Sequence, residues 1–369
     1  MKWEKIKLEN IVSFRTGKLN SNAAIPNGIY PFYTCSKEIY KTNTASFNTE
    51  AVLLGGNNAV GDYPLFYVNG EFDAYQRTYI IEPLDSNALN IRFLYYNLRP
   101  RLKDFQNYST GASTKFLTLK ILNAVEVQFP PLPTQRKIAS ILSGYDDLIE
   151  NNLKRIKLLE EAINLNFKDL ISKEDKNFTY IKLNSFVDII SGFPFKSNYY
   201  NENGKHKIVT IKNVQDGFFV PIVTDRIDDV PDNMNKALFL TTGDVIMSLT
   251  GNVGRVCLVY GDDYVLNQRV VKLSAKEQID QPFIYALVRD KQMLKILENL
   301  SNGAAQQNLS PIKMGELPIR YPNKSLREDF NQKVSPMLEM ICKLNIQNTK
   351  LREARDILLP KLMNGQIEV

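Results

Sequence analysis

The chain has 369 residues, 44% of them hydrophobic and 23% charged, and a formal net charge of +6. That length exceeds one typical domain, and the composition is ordinary for a soluble globular protein rather than a fibrous or disordered one. Met1–Asn10 is polar and charged, no apolar run approaches the roughly 18 residues of a membrane helix, and Cys35, Cys257 and Cys342 form no paired motif, so a reducing cytoplasm is the expected location.

Residues 1–132 read as a strand-rich domain, dense in Tyr, Phe, Val, Ile and Thr and punctuated by Gly and Asn. Pro130, Pro131 and Pro133 close it, and Thr134 is the expected N-cap of a long helix over 133–172. Ser143-Gly144 predicts a bend there, leaving a straight run of about 27 residues, roughly 40 Å. A second strand-rich domain follows over 173–323. It holds the single histidine, His206, in a polar run that reads as a solvated loop; one histidine and scattered cysteines cannot build a structural zinc cluster. Ser325-Leu-Arg-Glu328 fits a capping box for a second long helix over 324–364, with a bend at Ser335-Pro336 and a short tail over 365–369.

The two halves repeat each other. Phe129 to Ile138 aligns with Tyr321 to Phe330 at a shift of 192, and Ser109-Thr-Gly-Ala112, Gln76-Arg77 and Glu161-Ala162 find counterparts at the same shift. Ile6-Lys-Leu8 echoes Ile181-Lys-Leu183 at 175, and Val52–Asn57 aligns with Met247–Asn252 at 195, so the second copy is longer in its middle. Each long helix carries an apolar stripe: Tyr145, Leu148, Ile156, Leu159, Ile163, Phe167 and Leu170 on the first, and Met337, Ile341, Leu344, Leu351 and Leu358 on the second. Two equivalent stripes predict a coiled-coil-like pair, with Asn152 on the first stripe as a register-fixing polar residue.

Ser109 to Leu122 followed by Val127 to Ile138, and again Ser301 to Ser310 with Pro318 to Pro322, resembles the repeated region of type I restriction–modification specificity subunits. Gly243 to Val256 is similar to that family's strand-and-turn core, and Asn267-Gln268 to its Asn-Gln element. The resemblance covers both repeats. It implies two α/β (overall α+β) target-recognition domains joined by two long antiparallel helices. It also implies a non-catalytic subunit that binds double-stranded DNA at a two-part site, works with two adenine-methylating subunits and joins restriction subunits in the full complex. S-adenosylmethionine would then belong to the methylating partner, with no cofactor or metal here. One departure is that Ser113-Thr114-Lys115 in the first copy stands where the second has Ala305-Gln306-Gln307.

The residues themselves agree that chemistry lies elsewhere. The one Pro-Pro, Pro130-Pro131, lacks the Asn/Asp and aromatic flanks of an adenine methyltransferase tetrapeptide, and Val52–Asn58 and Thr250–Gly254 lack the spacing of phosphate-binding glycine loops. Charge discriminates little, since residues 1–133 carry 14 basic and 11 acidic side chains and residues 173–324 carry 19 and 17. Shared residues, Gln76, Arg77, Gln268 and Arg269, suit positioning on the DNA backbone, whereas readout belongs where the copies diverge, over 18–50 and 193–240. Those stretches supply Lys37, Tyr40, Lys41, Lys196, Tyr199, Tyr200, Lys205 and Lys207 as candidate contacts. Lys115, Asn252, Arg255, Asn267, Gln306 and Gln307 join them from the family-like stretches. Two rival readings are a self-sufficient DNA methyltransferase or nuclease, tested by activity of the isolated chain, and a duplicated structural or adhesion protein, which would show no salt-dependent DNA binding.

Overall fold

The computed structural model describes residues 3–58, 61–108, 115–301 and 308–369. The chain forms two compact units, one made of Met1–Ile149 with Leu351–Val369 and the other of Glu150–Lys350.

The first unit is built on a six-stranded sheet in the order Val12–Thr16, Thr78–Pro83, Phe47–Gly55, Leu65–Ala74, Tyr30–Tyr33, Tyr40–Thr42. Neighbours are antiparallel except Tyr30–Tyr33, which runs parallel to Leu65–Ala74. Strand side chains alternate between faces, and here both faces are covered. Val52, Leu54 and Ile81 join a core with the helix Ile91–Leu98 and with Ile138, Leu142, Leu359 and Leu362 of the long helices. Ala51, Leu53 and Ile80 pack on the other face with Tyr33, Phe47 and Phe72. Glu4–Lys7 and Glu126–Phe129 pair antiparallel, Ile6 opposite Val127, and close the domain.

The second unit repeats this plan with two four-stranded sheets. In one, Val187–Ser191, Val270–Ala275, Val245–Ser248 and Val256–Leu258 are antiparallel. In the other, Arg226–Ile227, His206–Val209, Tyr264–Leu266 and Phe239–Leu240 lie side by side, with His206–Val209 parallel to Tyr264–Leu266. Val245, Met247, Val271 and Leu273 face a core with Phe167, Phe283 and Phe330, while Ile246, Cys257 and Val270 face Ile208, Val265 and Leu266. Phe178–Lys182 and Pro318–Pro322 close this domain with Ile181 opposite Ile319, the counterpart of Ile6 and Val127. His206 lies in a strand, half-buried and edge-on to Phe239 at 5.4 Å, and not in a solvated loop.

Both long helices run unbroken for 40 residues, Leu132–Ile171 and Lys324–Met363, about 60 Å each at ~1.5 Å per residue. The bends expected at Ser143-Gly144 and Ser335-Pro336 do not interrupt them. A helix glycine costs only about 1 kcal/mol and an interior proline about 3 kcal/mol, and the apolar residues around both sites, Leu142 and Ile149, Val334 and Leu338, are buried and offset those costs. The first helix starts two residues before Thr134, and the second is capped by Asn323, whose Oδ1 accepts from Leu326 N at 3.0 Å, so Ser325 lies inside it.

Within each unit the two helices pack antiparallel. Asp146 meets Arg355 in the first unit; in the second, Asn152 meets Asn348 and the Phe167 and Phe330 rings lie 6.4 Å apart. Ile163, Ile341 and Leu344 are buried, and Tyr145, Ile156, Leu159, Met337, Leu351 and Leu358 are half-buried. Leu148 is 50% exposed, and Ile149, at 7%, takes the inward position. The seam steps four residues from Tyr145, where a step of three selects Leu148.

Candidate nucleic-acid interface

The repeated Gln-Arg dipeptides occupy matching turns held by matching backbone bonds. In the first unit Tyr75 N donates to Tyr33 O (2.9 Å), Gln76 N to Leu19 O (3.0 Å) and Gly56 N to Arg77 O (2.7 Å). In the second, Asn267 N donates to Val209 O (2.9 Å), Gln268 N to Phe193 O (3.0 Å) and Leu249 N to Arg269 O (2.8 Å). Each turn thus gathers three other segments at one end of its sheet, and those segments lead into the loops where the copies differ.

Val52 pairs with Ile81 and Val245 with Leu273. Because Ile81 and Leu273 are 192 positions apart, Val52 corresponds to Val245, a shift of 193 rather than 195. The shared Leu and Gly letters favoured the wrong offset; the register against a common partner strand corrects it.

Several candidates gather at this end. Gln76, Arg77, Gln268 and Arg269 are exposed, and Asn267 is half-buried with its Oδ1 accepting from Gln268 N at 2.7 Å. Asn267 also meets the Tyr200 hydroxyl, whose pKa is raised chiefly by burial and then by Asp225. Arg77 stacks over the Phe116 ring at 5.3 Å, and Lys115 Nζ donates to Gln106 O at 3.2 Å. Lys37 is exposed and ion-paired with Asp62, half-buried Tyr40 opens the neighbouring strand, and Lys41 is exposed one residue farther along. Lys196 and Tyr199 are exposed on the loop after Phe195.

Other candidates are placed elsewhere or occupied. Lys207 donates to Asp262 O at 3.0 Å and lies over the Tyr264 ring at 4.8 Å, and exposed Lys205 precedes it; both are at the opposite end of the strand from Val209, whose carbonyl holds Asn267. Arg255 is turned inward to Gln215 Oε1, and its guanidinium also faces Asn252. Gln306 and Gln307 lie outside the described residues.

Residues that the sequence reading missed include Gly17 and Gly192, 175 apart like Ile6 and Ile181. A Cβ would fall 2.1 Å from Ala74 O at Gly17 and 2.0 Å from Asn267 O at Gly192, so only glycine lets the chain pass the Gln-Arg turn. The shift was the signal that could have found them. Phe116 was also missed, and its counterpart by strand pairing is Asn308, since Asn57 pairs with Phe116 where Thr250 bridges Asn308.

Residues 1–161 and 175–353 each match the Type I restriction modification DNA specificity domain. The chain belongs to this family. It is 32% identical over 161 residues to the EcoDI specificity subunit of Escherichia coli, a match covering 44% of this chain and 35% of that protein. It is 25% identical over 405 residues to the MjaVIII specificity subunit of Methanocaldococcus jannaschii, covering 100% of this chain and 93% of the relative. Among solved structures, the S subunit of a type I restriction-modification system from M. genitalium superposes with a TM-score of 0.68 at 18% identity, covering 98% of this chain and 96% of that one, which establishes the fold. The chain is thus a type I specificity subunit, the non-catalytic kind, with two DNA-recognition domains. No helix among the described residues is long and apolar enough to cross a membrane.

Proposed function

We propose that this specificity subunit reads a bipartite DNA site, one half per recognition domain, and so directs adenine methylation and restriction by partner subunits. The observation that supports this is one scaffold used twice with different rims. The closing strand pairs, the glycine crossings and the Gln-Arg turns match, while the loops around them differ in sequence and length. A constant frame with variable loops suits a constant task, docking on a duplex, combined with two separate sequence preferences. Two modification subunits, binding S-adenosylmethionine, would supply methyl transfer, and restriction subunits would complete the assembly in the cytoplasm.

The test exchanges residues 1–132 for the matching domain of a relative and maps methylated adenines genome-wide in cells that also carry the modification subunits. One half of the site should change and the other should persist. A change in both halves, or in neither, would overturn the two-reader assignment.

A further inference from the structure

We propose that the arginines of the two Gln-Arg turns have different tasks, Arg269 reading a base pair and Arg77 holding the DNA backbone. This rests on the DNA-reading function proposed above and assigns residue roles within it.

The two turns share a framework but not a conformation. Arg269 has φ 72°, in the left-handed region, whereas Arg77 does not share it. A non-glycine residue stays there only when its surroundings over-determine it. Here Asn267, Gln268 and Arg269 are each tied to another segment through Val209, Phe193 and Leu249. The left-handed backbone sends the Arg269 side chain off on a different course from that of Arg77. Its guanidinium is exposed and makes no ion pair, hydrogen bond or ring contact among the described residues. Of the other arginines in that unit, Arg255, Arg289, Arg320 and Arg327 are engaged with protein groups. Arg155 and Arg226 make no ion pair, side-chain hydrogen bond or ring contact among the described residues, but they sit on a long helix and a strand with ordinary negative φ. A rigidly launched, unengaged fork suits the two acceptors of a guanine edge, a contact that needs fixed geometry.

Arg77 stands in another setting. Its guanidinium lies on the exposed Phe116 ring, and Lys115 precedes that ring in the same strand. Two neighbouring cations on a rim suit phosphate, which accepts a point charge from many directions. Phe116 has no aromatic counterpart in the second domain, where Asn308 takes its place.

The experiment uses the full chain assembled with its modification subunits and duplexes varied one base pair at a time across the wild-type site, with affinity measured over a range of salt. Arg269→Lys should lose on the order of 10- to 100-fold of discrimination at one base pair of one half-site, with the salt dependence unchanged. Arg269→Gly, which accepts the positive φ, should lose the same discrimination. Arg77→Ala should weaken all sequences alike and lower the slope of log affinity against log salt by about 1, and Arg77→Lys should restore both. Undiminished discrimination in Arg269→Lys, or a single-position loss in Arg77→Ala, would overturn the assignment. Absence of any sequence preference in the wild-type complex would instead overturn the DNA-reading function itself.

Discussion

The Tyr96 hydroxyl donates to Asp146 Oδ2 at 2.6 Å, tying the short helix of the first recognition domain to the first long helix. Asp146 also accepts from Arg355, whose side chain is only 8% exposed, and lies 4.0 Å from Arg99. Burial and the adjoining carboxylate push the Tyr96 hydroxyl far above its usual pKa. The second unit uses the same device, with the Tyr285 hydroxyl donating to Glu160 beside Arg289. Tyr96→Phe should cost about 1.5–3 kcal/mol, the range for a hydrogen bond to a charged group. Asp146→Ala should cost more, about 3–5 kcal/mol, because it removes the Tyr96 bond and also deprives a buried arginine of its main partner. Urea unfolding of the full chain measures both, and equal losses would show that Arg355 does not depend on Asp146.

Asn152 and Asn348 should behave as a coupled pair. Asn152 Nδ2 donates to Asn348 Oδ1 at 2.9 Å and to Gln347 Oε1 at 3.2 Å, and Asn348 is 0% exposed. Asn152→Leu alone strands a buried amide and should cost about 1–3 kcal/mol. The double change Asn152→Leu, Asn348→Leu should recover most of that loss, since paired polar groups in an apolar seam can give way to packing. A double-mutant cycle with additive energies would refute the coupling.

Glu160 gives a pH dependence of defined sign. Burial raises its pKa above the ordinary 4.5, opposed by Arg289 and the Tyr285 hydroxyl. A carboxylate with a raised folded-state pKa binds its proton more readily in the native chain. Its contribution is therefore most favourable below its unfolded pKa and is lost as pH rises through the folded value. Wild type should gain stability relative to Glu160→Gln as pH falls from 7 toward 4.5. Melting temperatures of the two proteins across that interval check it; a difference that stays flat or reverses would show that burial does not dominate at Glu160.

Glycine substitutions should split sharply by position. Gly192→Ala places a Cβ 2.0 Å from Asn267 O, which forces the backbone apart and should cost about 3 kcal/mol or more. Gly144→Ala meets nothing within 4 Å in the interior of the first long helix and should stabilise by up to about 1 kcal/mol. Opposite shifts in unfolding midpoint are the expected readout.

The duplication, the long helices and their pairing were legible because they are written in periodicity and repeated spacing. Helix continuity was not, because packing around Gly144 and Pro336 outweighs a local preference that letters alone register. The inward place of Ile149 in the seam depended on a choice between steps of three and four that only the partner helix decides. At the candidate interface the Gln-Arg turns stood out by repetition. That Arg255 turns inward to Gln215, and that Lys207 leans on Tyr264, are tertiary facts about residues 40 and 57 positions apart, which no local pattern encodes.

The central strand Phe47–Gly55 and its counterpart Val245–Ser248 are covered on both faces, so a slip of one residue would exchange the contents of two cores. From Tyr33 to Val52 is 19 positions, whereas the equivalent span from Val209 to Val245 is 36. The two halves therefore accommodate a difference of 17 positions between strands that keep equivalent places in their sheets. A loop can take up such a difference at small entropic cost, whereas one residue added inside either strand would turn its side chains to the wrong core. Under the proposed two-reader function, new sequence preferences would arise in lengths of chain whose change costs the fold little.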